Sequence, residues 1–268
     1  MLKDITLGQY YPGKSVLHRM DARVKILLTL ALVVLVFFIE TPIAYAVFTL
    51  FVMMLIKISS IKAKYIIKGI KPIIYVLMFT ALLNLFMTNG ETVYWSWGIL
   101  KLTKEGVILA VKMIVRLVLL VITTSLLTYT TTPIVLTDGI EGVLSPFKII
   151  GLPAHELAMM MTIAIRFVPT LIEETEKITK AQSARLSDIG EGNIFKKAKS
   201  LVPLLVPLFI SAFRRADDLA VAMESRCYRG GKGRTKLHRL KMTKIDFFAF
   251  LCALLFGGVI VLLKMFGI

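Results

Sequence analysis

Long unbroken apolar runs, rather than alternating positions, dominate the chain: four precede a polar stretch and one follows it. The first, VKILLTLALVVLVFFI, covers residues 24–39, and IAYAVFTLFVMMLI covers 43–56. IIYVLMFTALLNLFM (73–87) begins after Pro72, GVILAVKMIVRLVLLVITTSLLTY covers 106–129, and FFAFLCALLFGGVIVLL covers 247–263. With their flanks, such runs approach the ~20 residues a helix needs to cross a bilayer. Backbone amides in hydrocarbon must bond internally, so the runs predict helices. The expected class is all-α, a polytopic membrane protein with about five transmembrane helices and two long helices outside the lipid.

Those two come from the polar stretch. LAMMMTIAIRFVPTL (157–171) and LVPLLVPLFISAF (201–213) imitate spans, but His155, Glu156 and Arg166 mark the first, and Pro203 and Pro207 the second. Each runs into a charged tail. The pattern predicts helices over roughly 153–188 and 193–228, apolar at their starts and charged toward their ends. TTPIVLTDGIEGVLSPFKIIGLP (131–153) predicts a helix from Pro133 that breaks near Ser145-Pro146. KISSIKAKYIIKGIK (57–71) fits either a short helix on an anionic leaflet or a solvated connector with snorkelling lysines. The expected division is 1–130 (N-terminal tail and spans one to four), 131–243 (cytoplasmic helices) and 244–268 (span five).

Charge sets the orientation. With five spans, 28 of the 33 Lys and Arg fall on one side of the membrane and three on the other. The positive excess belongs to the cytoplasm, so the N-terminus is expected inside and the C-terminus outside. Residues 173–200 carry Lys177, Lys180, Arg185, Lys196, Lys197 and Lys199, which argues against placing them outside as a seven-span arrangement would. Composition agrees with a membrane chain: 57% of residues are hydrophobic, against roughly 45–50% in soluble domains. The net charge of +16 is therefore sorted by membrane side and needs no nucleic acid. The N-terminus lacks the pattern of a signal peptide, so the first run is expected to be retained. Cys227 and Cys252 lie far apart and read as reduced thiols.

Catalytic chemistry finds no footing. His18, His155 and His238 are scattered, and no Cys/His spacing suits a metal. In RGGKGRTK (229–236), Gly233 follows Lys232 where a phosphate-binding loop needs Ser or Thr. No cofactor and no enzymatic activity are expected. Polar residues inside the runs are Lys112 and Arg116 in the fourth and Asn84 in the third; they serve either packing or a partner contact. Arg116, the deeper cation, requires a carboxylate or backbone carbonyls. Acidic residues are absent from the middles of the runs, which counts against a proton- or sodium-driven transporter. A self-sufficient channel or secondary transporter is the alternative reading, with a membrane-embedded enzyme behind it.

Two arginines stand out in AQSARLSD (181–188) and AMESRCYRG (222–230). Ala181 and Ala184 precede Arg185 on one helical face; Ala222 and Ser225 precede Arg226 in the same way. Small residues permit close backbone approach, and a planar guanidinium at a helix end can pair bidentately with a carboxylate. The plainer reading is a cation favoured by the helix dipole.

LGQYYPGKSVLHRMDARVKIL, with Gly13, Ser15, His18, Asp21 and Arg23, begins a resemblance that continues through residues 132–185 and ends in PLFISAFRRADDLAVAMESRCYR. Over nearly its full length the chain resembles the transmembrane T components of energy-coupling factor transporters, the vitamin-importing branch of ATP-binding-cassette systems. The resemblance implies a bacterial membrane scaffold that joins two ATPase subunits to a membrane-embedded, substrate-binding S component, several of which share it. It implies that two coupling helices each end in an Ala-Arg-Gly motif whose arginine docks in an ATPase groove. Here the motifs read Ala184-Arg185-Leu186 and Ser225-Arg226-Cys227, so both glycines are replaced; Gly190 and Gly230 are the alternative helix stops. Met159–Met161 offer adaptable contacts to several partners, or ordinary packing.

Overall fold

The structure is a computed structural model and describes residues 10–88, 92–97, 100–185, 194–230 and 240–266. In chain order the elements are α1 (Val16–Arg19), α2 (Ala22–Phe38), α3 (Pro42–Ser59), α4 (Ala63–Ile70), α5 (Ile74–Met87), β1 (Val93–Trp97), β2 (Leu100–Thr103), α6 (Lys104–Thr130), α7 (Pro133–Leu144), α8 (Ala154–Ala184), α9 (Ile194–Ser225) and α10 (Lys244–Met265). The protein is an all-α membrane protein, with one short antiparallel ribbon, β1 on β2, that the apolar pattern did not announce. The chain divides into two compact units, residues 8–143 with 240–268, and residues 144–239.

In the first unit, α2, α3, α6 and α10 share a core of Leu32, Val36, Phe48, Val52, Leu119 and Ile260. Phe51 of α3 stacks on Phe256 of α10 with ring centroids 3.9 Å apart. A second cluster, Ile61, Ile66, Leu126 and Tyr129, seats α4 against α6. The residues of α4 alternate between that cluster and the surface, with Ile66 buried while Lys64, Ile67 and Lys68 are exposed. Pro72 does not separate α4 from α5 by a loop. A 3-10 turn, Lys71–Ile73, carries the proline in its first positions, where no donor is missed, and leads directly into α5.

Among the described residues, five helices are long and apolar enough to cross a membrane: Pro42–Ser59, Ala63–Phe86, Lys104–Thr130, Ala154–Ala184 and Lys244–Met265. The number matches expectation, but the set differs. α2, with 17 residues and about 26 Å, is one residue shorter than the shortest of these, at the short end of the lengths that span a bilayer with their flanking residues. α8 joins the set through its apolar first half.

Arg116 meets the requirement placed on it. Its Nε donates to the Tyr45 hydroxyl at 3.1 Å and its Nη2 to the Ile39 carbonyl at 3.2 Å, with the guanidinium 5.8 Å from the Phe37 ring centre. The charge thus ties α6 to α2 and α3. Asn84 bonds to the Thr80 carbonyl one turn back at 2.8 Å.

α7 closes the first stretch of the first unit, and the second unit begins with a 3-10 turn, Ser145–Ile150, that ends at Gly151 with φ +88°, the break expected at Ser145-Pro146. α8 and α9 then form an antiparallel pair. Gln182 Nε2 reaches the Pro203 carbonyl at 3.3 Å, Glu174 accepts from Ser211 and from Arg215, and His155 meets the Tyr228 hydroxyl at 3.4 Å. Partners late in α8 are early in α9, and the reverse.

Candidate functional site

The antiparallel pairing decides where the two small-residue motifs lie. Ala181 and Ala184 occupy the last turn of α8, and Arg185 is its C-cap. Ala222 and Ser225 occupy the last turn of α9, with Arg226 following. The motifs are therefore not brought together. His155, beside Tyr228, lies thirty residues before Arg185, or about 45 Å along the helix axis. Arg185 and Arg226 sit at opposite ends of one paired rod. Both side chains are exposed and make no hydrogen bond or ion pair among the described residues. Ala181, Ala184 and Ser225 are exposed beside them, and Ala222 is half-buried.

The end of α9 corrects one expectation. Gly230 does not end this helix; Cys227 does, at φ 55° in the left-handed region. Tyr228 N–H bonds to the Met223 carbonyl at 3.0 Å, and Cys227 N–H to the Glu224 carbonyl at 2.9 Å. These are the two bonds of a Schellman stop, in which glycine ordinarily takes the left-handed place. The replaced glycine leaves the turn intact, at the cost of a side chain in a conformation that strains it by about 1–2 kcal/mol. The corresponding Leu186, with Gly190 and most of RGGKGRTK, lies outside the described residues.

The N-terminal block of polar residues builds a second feature, in the first unit. Asp21 caps α2 by accepting from Arg23 N–H at 2.9 Å, and its own N–H donates to Asp246 Oδ1 at 2.8 Å. Asp246 Oδ2 accepts from Thr243 N–H at 2.7 Å and Thr243 Oγ1 at 2.8 Å, closing a capping box on α10. Arg23 donates to the Leu240 carbonyl at 3.0 Å. Lys25, only 7% exposed, gives its ammonium to the Thr130 carbonyl at 3.1 Å, Thr131 Oγ1 at 3.2 Å and the His18 carbonyl at 3.4 Å. His18 in turn bonds Ser15 at 2.6 Å and the Tyr11 carbonyl at 2.9 Å. α7 is fitted closely to the same knot. A Cβ on Gly139 would stand 2.8 Å from that of Ala22, and one on Gly142 would stand 2.6 Å from the Arg23 side chain.

The knot holds two buried anions, Asp21 and Asp246, against Arg23 and Lys25. It locks the start of α2, the end of α6 and the start of α10 together. Reading the sequence missed Lys25, Thr131 and Asp246 as members. Thr243-x-x-Asp246 before an apolar run is a capping-box spacing that points to one of them. Among the described residues no cluster of His, Cys, Asp and Glu could hold a metal ion, and Cys227 and Cys252 are free and exposed.

The model of the CbiQ family, described as cobalt transport protein, matches residues 13–237. An "Energy-coupling factor transporter transmembrane protein EcfT" of Ruminiclostridium cellulolyticum is 55% identical over 246 residues, 92% of each chain. One from Clostridium kluyveri is 55% identical over 255 residues, 95% of this chain and 94% of its own. One from Brevibacillus brevis is 46% identical over 246 residues, 92% of this chain and 93% of its own. Similarity of this depth over most of the chain places it in the CbiQ family, among the transmembrane components of energy-coupling factor transporters.

Proposed function

We propose that this chain is the scaffold that carries ATP-driven motion from two ABC-type ATPase subunits to a membrane-embedded S component during vitamin or micronutrient import. The observation that carries the reading is the position of the arginines: two exposed guanidinium groups, without a partner among the described residues, about 45 Å apart at the ends of one helix pair. One rod with a charged tip at each end can engage two separate sockets. Each guanidinium pairs with a carboxylate in an ATPase groove. Truncating one side of such a pair costs about 2–5 kcal/mol, because the other charge is stranded. Closure of the ATPases on ATP then draws the two tips relative to each other and moves the α8–α9 rod. ATP is hydrolysed in the partners, and this chain binds neither nucleotide nor vitamin.

The rod belongs on the cytoplasmic side, with the N-terminus inside and the C-terminus outside a bacterial cell membrane. α8 alone is long and apolar enough to cross, but α9 is paired with it along its length. α9 carries Arg214, Arg215, Asp217 and Asp218 in its second half, where Arg215 pairs with Glu174 of α8 and the other three are exposed. Each charge at the centre of a bilayer costs about 2.5–3.5 kcal/mol, so the pair is unsuited to hydrocarbon. Its exposed apolar residues instead form a stripe: Val202, Leu205, Val206, Phe209, Ile210 and Phe213 recur at intervals of three and four. Such a stripe suits a groove on another apolar surface, and the S component is its proposed partner.

Affinity purification from the native membrane tests the reading. Two nucleotide-binding proteins and a small integral membrane protein are expected to accompany the chain. A solitary chain that moves solute in liposomes would instead establish a self-sufficient channel or transporter.

A further inference from the structure

The first unit contains a cavity of about 550 Å³ between α2, α3, α6 and α10, with α1 at one end. Its walls are almost wholly apolar. Phe51, stacked on Phe256 at 3.9 Å, closes it where α3 and α10 touch. Between that contact and the end marked by Lys25 and Lys244, Met54 of α3 and Phe248 of α10 line the cavity while remaining 51% and 68% exposed. The cavity therefore opens sideways between α3 and α10, through surfaces that face hydrocarbon in a membrane protein.

Walls this apolar offer water few hydrogen-bond partners and favour an apolar occupant. In a bilayer the species at hand is a lipid chain. The polar end of the cavity selects among lipids. Lys25 has committed its ammonium to three oxygens. Lys244 lines the same end, is exposed, and has no partner among the described residues. From Lys244 to Ala253 the wall of α10 descends nine residues, about 14 Å, close to half the hydrocarbon thickness. A cation at headgroup level above an apolar slot one leaflet deep fits a phospholipid with an anionic headgroup. We propose that this cavity binds one acyl chain of an anionic phospholipid whose phosphate pairs with Lys244. The site rests on the placement of these helices in the bilayer and not on the docking roles of Arg185 and Arg226, so either can fail alone.

The test is native mass spectrometry of the full chain after exchange into vesicles of equal phosphatidylglycerol and phosphatidylcholine, followed by extraction in mild detergent. Wild type is expected to retain one phosphatidylglycerol, favoured over phosphatidylcholine about fivefold, the discrimination one lysine near a surface provides. Ala253→Phe, which fills the slot, should lower retained lipid at least tenfold. Lys244→Gln should keep a lipid but lose the preference. Equal retention by wild type and Ala253→Phe overturns the site, and an unchanged preference in Lys244→Gln overturns the headgroup assignment.

Cys252 lines the cavity and provides a readout in the unaltered slot. In a Cys227→Ser background, phosphatidylglycerol should slow its alkylation by a small maleimide at least fivefold. Protection by a membrane-protein partner but not by lipid would assign the cavity to protein docking and overturn the proposal.

Discussion

Replacing Asp246 with alanine tests whether the polar knot holds the membrane unit together. The carboxylate is 2% exposed and accepts three hydrogen bonds, from Asp21 N–H, Thr243 N–H and Thr243 Oγ1, all between 2.7 and 2.8 Å. Hydrogen bonds to a charged group contribute about 1.5–3 kcal/mol each, and they do not add fully because they share one acceptor. Removal also leaves the Asp21 N–H without its partner and sets Arg23 and Lys25 against Asp21 alone. Breaking one side of a buried charge arrangement typically costs about 3–5 kcal/mol. An expected loss of about 4 kcal/mol lowers the melting temperature by about 8–16 °C in a protein of this size. Asp246→Asn keeps an oxygen for only one of the two groups of donors and should lose about half as much. Thermal unfolding of the purified chain, followed by the loss of its monodisperse peak in size-exclusion chromatography, reads both. An Asp246→Ala protein melting within about 2 °C of wild type would refute the claim that this carboxylate joins α2 to α10.

Cys227→Gly should raise stability by about 0.5–1 kcal/mol, since glycine adopts φ 55° without strain but loses more entropy on folding; Cys227→Val should lower it, and thermal unfolding orders the three. Gly139→Ala should destabilise by about 1–3 kcal/mol because its Cβ meets Ala22, whereas Gly258→Ala meets nothing within 4 Å and should be neutral or stabilising in the same assay. Glu40 sits between α2 and α3, where a hydrogen bond from Lys264 and the charge of that lysine hold its carboxyl below the ordinary 4.5. Its contribution is present above pH 4.5 and lost as pH falls through the lowered value, so Glu40→Gln should melt slightly below wild type at pH 7, and the difference should vanish as the medium is acidified through that range. Arg185→Ala and Arg226→Ala should each impair uptake and recovery of the ATPase subunits, and the double change should nearly abolish both without altering expression; intact uptake in the double variant would remove the docking assignment.

Much of the helical plan was legible in the chain. The run at 106–129 became α6 nearly end to end, Pro133 opened α7, and the breaks at Ser145-Pro146 fell where turn chemistry placed them. A deep arginine announced that it needed partners, but not that Tyr45 and the Ile39 carbonyl, more than seventy residues away, would supply them. Lys25 read as one more inside charge because a lysine near a run end looks solvated; its burial depends on oxygens offered by the far end of α6. The left-handed Cys227 was hidden for a similar reason, since cysteine carries no turn signal and its conformation is imposed by the hydrogen bonds of the helix end. The motif arginines were visible as residues. Their separation was not, because it follows from the antiparallel pairing that Glu174 and Arg215 help to lock.

Sidedness at the end of α9 bears most directly on the account. Cys227 is exposed beside Arg226, so a membrane-impermeant maleimide can report on it in a Cys252→Ala background. The account predicts labelling only after cells are permeabilised, and protection once the ATPase subunits are bound. Labelling of Cys227 on intact cells would put the arginine beyond the reach of any cytoplasmic ATPase and contradict it.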